Sequence, residues 1–205
     1  MKKYIIGIDE VGRGPVAGPV AVGVVAYEIS SENFLREKMP EARDSKKMTE
    51  KKREKIVEII SVLKKEKKVF AKVSFVSAKD IDKIGVVPSI QKAMNSGMKN
   101  ILNEIEVEKD FSNIILKLDG GLKYDEKIKN QETIIKGDDK EFSIALASIV
   151  AKVLRDNKMV ELAKKYPDYF LEKHKGYGTK LHMEIIKKKG LSEIHRKTFL
   201  GKFLQ

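Results

Sequence analysis

Acidic residues close three apolar, strand-like runs of this chain: IIGIDE ends in Asp9 and Glu10, IILKLDG in Asp119, and TIIKGDD in Asp138 and Asp139. Carboxylates are poor strand formers and costly to bury unpaired. Strand ends are rigid, so acids placed there can converge, and a converging group repels itself unless cations neutralise it. Hard divalent ions with oxygen ligands, Mg²⁺ or Mn²⁺, do this. Two such ions about 3.5–4 Å apart can activate a water and stabilise the leaving oxygen in phosphodiester cleavage. The plainer alternative is that each acid marks a turn, where Asp is common. That is the ordinary reading of Asp119 before Gly120 taken alone; the three runs together favour a metal site. Asp125, Glu126 and Asp139 read as surface acids, although adjacency alone does not choose between Asp139 and Asp138.

Other segments could touch a phosphate or a base. GRGPVAGP sets Gly12 and Gly14 around Arg13, directly after the first acid pair. Glycines let a backbone come close to a ligand and expose its N–H donors, although a GxG is usually only a tight turn. The DSKK segment at 44–47 places Lys46 before a helix, where a solvated lysine is the default. KGYGT at 175–179 holds Tyr177 between two glycines, a ring that could stack on a sugar or base or pack on the domain. His174, His182 and His195 have no compact metal-ligand spacing and read as structural or surface histidines. Ser148, Lys152 and Arg155 recur at helical spacing on one face, which looks either to the acids or to solvent.

The elements that must position these residues follow from periodicity. Runs 4–8 and 16–27 read as neighbouring strands joined by the GRGP turn. Residues 30–47 are polar and irregular and read as loop. Thr49 is a fitting N-cap for a helix with Ile56, Ile59, Ile60 and Leu63 at helical spacing. Alternation marks 68–76 as a strand. Residues 77–106 read as two helices separated by 85–88, 113–118 and 132–136 as strands, and 142–165 as a helix. This order predicts one α/β domain over 1–205, a central mixed β-sheet flanked by helices, with a helical C-terminal region from about 160.

Composition narrows the partners. The 205 residues hold 42 Lys and Arg against 30 Asp and Glu, for a formal net charge of +12, which attracts polyanions. A nucleic acid is the first candidate partner and a membrane surface the rival. With no cysteine, disulfides, thiolate metal sites and a cysteine nucleophile are excluded. Asp9 and Glu10 interrupt the N-terminal apolar run, and no run has the length of a membrane span. A cytoplasmic monomer without membrane contact is expected.

Taken as blocks, the motifs resemble a known family. GIDEVGRGPVAGPV, DSKKMTEKKR, LDGG, KGDDKEFSIALASIVAKVLRD, KGYGTKLH and IHRKTF, in this order from Tyr4 to Phe199, are similar to the signature blocks of prokaryotic ribonuclease HII. The resemblance implies an RNase H-like fold and a two-metal endoribonuclease using Mg²⁺ or Mn²⁺. Its expected substrates are RNA–DNA hybrids and single ribonucleotides embedded in duplex DNA, cut on the 5′ side to leave 3′-hydroxyl and 5′-phosphate ends. It assigns Asp9, Glu10, Asp119 and Asp138 as catalytic metal ligands, choosing Asp138 over Asp139. It assigns Gly12, Arg13 and Gly14 to the backbone around the ribonucleotide, Tyr177 to the RNA–DNA junction and Lys46 to the phosphates. Leu146 and Met48 depart from the expected Ala and Leu, away from the chemistry. The related type III enzymes usually carry an N-terminal substrate-binding domain, for which an acid pair at 9 and 10 leaves no room. The rivals are another RNase H-like nuclease, such as a junction-cleaving one, and a basic nucleic-acid-binding module without chemistry.

Overall fold

The computed structural model describes residues 2–42, 45–107, 110–125 and 127–201, with the side chain of Lys46 outside that description. Asp44 and Glu126 therefore lie outside the described residues. Among the described residues, five strands form one mixed sheet in the order β3-β2-β1-β4-β5. They are β1 (Tyr4–Val11), β2 (Val20–Glu28), β3 (Phe70–Val76), β4 (Ile114–Asp119) and β5 (Gln131–Ile134). β1 pairs antiparallel with β2 and parallel with β4; β2–β3 is antiparallel and β4–β5 parallel. This is the expected α/β architecture, a mixed sheet covered on both faces.

Alternation along the strands divides the core in two. Ile6, Ile8, Val22, Val24, Leu116 and Leu118 face α4 (Val86–Glu104), which contributes Ile90, Met94, Met98 and Ile101. Ile5, Val25 and Tyr27 face the opposite layer. There they meet α6 (Phe142–Lys165) through Phe142, Leu146 and Ile149, and α2 (Glu50–Lys65) through Ile56, Ile60 and Leu63. Thr49 caps α2 by accepting from the Lys52 amide. α6 lies unusually close to the sheet. A methyl placed on Gly7 would sit 2.2 Å from the Ser143 backbone, and one on Gly23 would sit 2.3 Å from the Ala147 carbonyl. Only glycine admits that approach, which lays the first turns of α6 across β1 and β2 where the acids emerge.

Several boundaries differ from the sequence reading. Residues 30–47 are not simply loop: Glu32–Lys38 form helix α1, anchored by buried Leu35. The break within 77–106 is narrower than 85–88. α3 (Ala78–Ile84) stops at Gly85, and Pro88 lies in the first turn of α4, where its missing N–H costs nothing. The second strand begins at Val20 rather than Val16, because 16–19 pair elsewhere. Ala17 bridges His195, and Val16 and Ala17 both donate to the Gly176 carbonyl. The helical C-terminal region starts after α6 ends at Lys165. It contains α7 (Leu171–His174), α8 (Lys180–Lys189) and α9 (Lys197–Leu200), packed around Ala17, Met159, Tyr169, Leu171 and Ile194. Among the described residues, no helix is long and apolar enough to cross a membrane.

Candidate active site

The four acids reach one region by different routes. Asp9 and Glu10 lie inside β1, since pairing with β2 continues to Val11, so they are not strand-terminal as the sequence suggested. Register sets Ile8 beside Leu118, so the next level of the parallel pair places Asp9 with Asp119, the last residue of β4. Alternation puts both on the α6 face and sends Glu10 to the other, so Glu10 joins the group around the strand end. Asp138 is not at a strand end either. β5 stops at Ile134, and Asp138 sits on the single helical turn α5 (Gly137–Lys140) that leads into α6.

Asp9 is buried, and its Oδ1 accepts from the Glu10 amide at 2.7 Å. Burial pushes its carboxyl well above the ordinary carboxylate value; a hydrogen bond from Ser148 opposes this, and the charges of Asp119, Glu10 and Asp138 add to it. Burial also raises Glu10, against the Arg13 guanidinium at 3.5 Å, while Asp119 raises it further. Asp119 Oδ1 accepts from the Gly137 amide at 2.6 Å, tying the end of β4 to the start of α5. Asp138 is buried beside this group, whereas Asp139 turns outward to pair with Lys47. Among the described residues, no three acid or histidine side chains are already gathered as a metal cage. Asp9 and Asp119 instead accept from neighbouring amides, Asp9 also from a hydroxyl, and Glu10 accepts from the Arg13 guanidinium. The carboxylates are all hard oxygen donors, and burial together with the neighbouring charges makes ionised Asp9 and Glu10 costly. A divalent cation fits that donor set.

The helix face singled out in the sequence looks inward at both ends. Ser148 is buried, bonded to Asp9 and 2.8 Å from the Ser45 hydroxyl, which docks the 45–47 turn against the acids. Lys46 belongs to that turn, and the structure says nothing of its side chain. Lys152 pairs with Asp156. Arg155 is fully buried, donating to the carbonyls of Pro19 at 3.0 Å and Lys175 at 3.1 Å. It thereby joins the two glycine-flanked loops. Arg13 and Gly14 are exposed beside the acids, and Tyr177 is 44% exposed. The GRG turn thus lies between the acids, through Arg13 and Glu10, and the Tyr177 loop, through Gly176.

Sequence reasoning gave no role to Arg196 or to the histidines as a group. Arg196 is fully buried and donates to the carbonyls of Gly12, Arg13 and Gly18. Its block, IHRKTF, was part of the resemblance, but a lone arginine in a basic run is indistinguishable from a solvated one. The three histidines are structural and form a buried network. His174 Nε2 donates to the Tyr169 carbonyl, and its Nδ1 accepts from the Gly176 amide. His182 Nδ1 donates to the Tyr177 carbonyl, so His195 Nε2 donates to His182 Nε2 at 3.1 Å. His195 Nδ1 in turn accepts from the Ser192 amide. Every ring nitrogen is engaged, which fixes three neutral tautomers behind the Tyr177 loop.

Residues 6–202 match the family profile described as Ribonuclease HII. The chain is 46% identical to a ribonuclease HII of Fusobacterium nucleatum over 205 residues, covering 99% of this chain and 88% of the relative. Among solved structures, it is similar to the ribonuclease HII of a PCNA complex from Archaeoglobus fulgidus, with a TM-score of 0.69 and 26% identity. That match covers 94% of this chain and 93% of the other. A Bst ribonuclease HIII solved with Mn²⁺ shares the fold, with a TM-score of 0.67 at 16% identity, covering 97% of this chain and 65% of that one.

Proposed function

The chain belongs to the ribonuclease HII family, enzymes that hydrolyse RNA in RNA–DNA hybrids, and on that premise we propose that it also incises duplex DNA 5′ of a single embedded ribonucleotide, using two divalent ions. The observation that carries the reading is the grouping of Asp9, Glu10, Asp119 and Asp138, with Asp9 held far above its ordinary value by burial and by the other three charges. These four carboxylates would hold Mg²⁺ or Mn²⁺; the Mn²⁺ complex of a structural neighbour supports this choice. When bound, such ions lower the pKa of the attacking water and stabilise the leaving 3′ oxygen.

The protein's own residues supply placement. Ser148 and the Glu10 amide orient the Asp9 carboxylate, and the Gly137 amide orients Asp119. The GRG turn and Tyr177 lie on neighbouring loops joined through Gly176 and Arg155. They are the natural readers of the 2′-hydroxyl, the mark that separates the target sugar from its DNA neighbours. Lys46 is assigned to a phosphate by family resemblance alone. A cleavage assay on a duplex carrying one ribonucleotide, with and without Mg²⁺ or Mn²⁺, tests the whole reading. Metal-independent cleavage, or none on that substrate, would reject it.

Two results follow for recognition. Tyr177→Ala should weaken the use of single-ribonucleotide duplexes by the ~1–3 kcal/mol that base–aromatic stacking contributes, while Tyr177→Phe loses much less and Mn²⁺ affinity stays unchanged. Wild-type cleavage by Tyr177→Ala would show that the ring does not read the junction. Duplex affinity should fall steeply with salt, since each neutralised phosphate contributes about −0.9 to the log–log slope and the net charge is +12. A flat dependence between low and physiological salt would contradict the phosphate contacts.

A further inference from the structure

Arg196 is a fully buried cation that makes no ion pair among the described residues. Among the described residues its guanidinium donates to backbone carbonyls, at 2.7 Å to Gly12, 3.0 Å to Arg13 and 3.0 Å to Gly18, and lies over the Phe199 ring at 5.2 Å. Burial and the neighbouring Arg155 push it down to about 9, so it remains a cation at neutral pH; Asp82 and Tyr177 are the groups whose charges oppose this. Arg155 is likewise buried, bonded to the carbonyls of Pro19 and Lys175, and its Nη2 has no hydrogen-bond partner among the described residues. Two buried cations with no carboxylate partner among the described residues are costly to keep, and core stability alone does not call for them.

What Arg196 faces is a pair of peptides. The carbonyl of Gly12 and the amide of Arg13 belong to one peptide unit, and the carbonyl of Arg13 and the amide of Gly14 to the next. In a trans peptide the carbonyl and the amide point in opposite directions. A guanidinium drawing both carbonyls inward therefore turns both amides outward. Arg13 and Gly14 are exposed, and neither amide donates to a protein group among the described residues, whereas the next donors, Val16 and Ala17, are tied to Gly176. A cation on the carbonyl also polarises the peptide, making its N–H a stronger donor.

We propose that Arg196 is a positioning residue for substrate recognition, holding the Arg13 and Gly14 amides as a preformed, polarised donor pair for a phosphate of the duplex. This rests on the GRG turn meeting the substrate, and it adds the group that makes the turn a receptor rather than a bend. Preorganised dipoles of this kind need no rearrangement when an anion arrives.

The test pairs NMR with kinetics. In an Asp119→Asn background with Mg²⁺, the Arg13 and Gly14 amide resonances should move when a duplex carrying one ribonucleotide is added. With Asp119 intact, folded Arg196→Gln should raise KM for that duplex ~10–100-fold, as loss of a charge-assisted supporting bond does, with a smaller change in kcat. The same two resonances should be displaced in free Arg196→Gln, and Arg196→Lys, which keeps the charge, should recover part of the KM. Responsive amides together with a wild-type KM in Arg196→Gln, or a loss confined to kcat, would overturn the proposal and leave the GRG reading standing. Amides that ignore the duplex would overturn both. If neither variant folds, Arg196 is a determinant of the fold and the positioning role is rejected.

Discussion

Asp9→Asn should fold normally yet cleave a ribonucleotide-containing duplex at least ~10³-fold more slowly than the wild type. A metal ligand supports several kcal/mol of transition-state stabilisation, and each ~1.4 kcal/mol is a factor of ten in rate. The amide oxygen of the asparagine can still accept from the Glu10 N–H, so the local backbone keeps its bond. Asp119→Asn should behave alike, retaining the bond from Gly137. Without metal, Asp9→Asn should be the more stable protein. The folded-state value of Asp9 is raised, so in the wild type the unfolded chain ionises first as pH rises past the ordinary carboxylate value. Stability is then lost up to the raised folded value. Asparagine has no such loss, and Mg²⁺ should narrow the gap. Near-normal turnover at saturating Mg²⁺ would remove Asp9 from the site.

The second large effect is acid lability of the C-terminal region. Burial drives His182 from 6.5 to about 4, against its bond to the Tyr177 carbonyl and with His174 and His195 adding to the shift. His174 and His195 are lowered as well, again chiefly by burial. A base depressed in the folded state is protonated first in the unfolded chain. Its contribution is therefore complete above 6.5 and is lost as pH falls towards 4. Between pH 7 and 5, His182 alone loses about one and a half units at ~1.36 kcal/mol each, roughly 2 kcal/mol. Urea midpoints measured across that range in Asp9→Asn, where the opposing effect of Asp9 is absent and Glu10 is the raised carboxylate left in the site, report chiefly the histidines. A flat profile would mean that the rings are solvated rather than networked.

How much of this was legible follows from how local each cause is. The strands, the long helix 142–165 and the Thr49 cap are written in short-range periodicity, and the sequence reading finds each of them, with the strand bounds shifted by up to four residues. α1 was missed because Leu35 is its one buried residue, and a single anchor makes no period. Asp9 and Glu10 looked terminal because apolarity ends at Ile8, yet backbone pairing with β2 carries the strand to Val11. The acids themselves could be read from chemistry and resemblance. What holds them and the loops could not: Ser45 meets Ser148 103 residues away, and nothing near Arg196 in the chain predicts that it will be engulfed.

That last distance also has a meaning in time. Gly12 and Arg196 are 184 residues apart, and at ~5–20 residues per second a ribosome needs roughly 10–40 s to travel between them. Through that interval the nascent GRG turn lacks the guanidinium that shapes it, and the Gly176 carbonyl that fastens Val16 and Ala17 arrives only shortly before. An emerging chain surrounded by ribosomal RNA thus carries an unfinished grip, which closes only when the residues around Arg196 leave the exit tunnel.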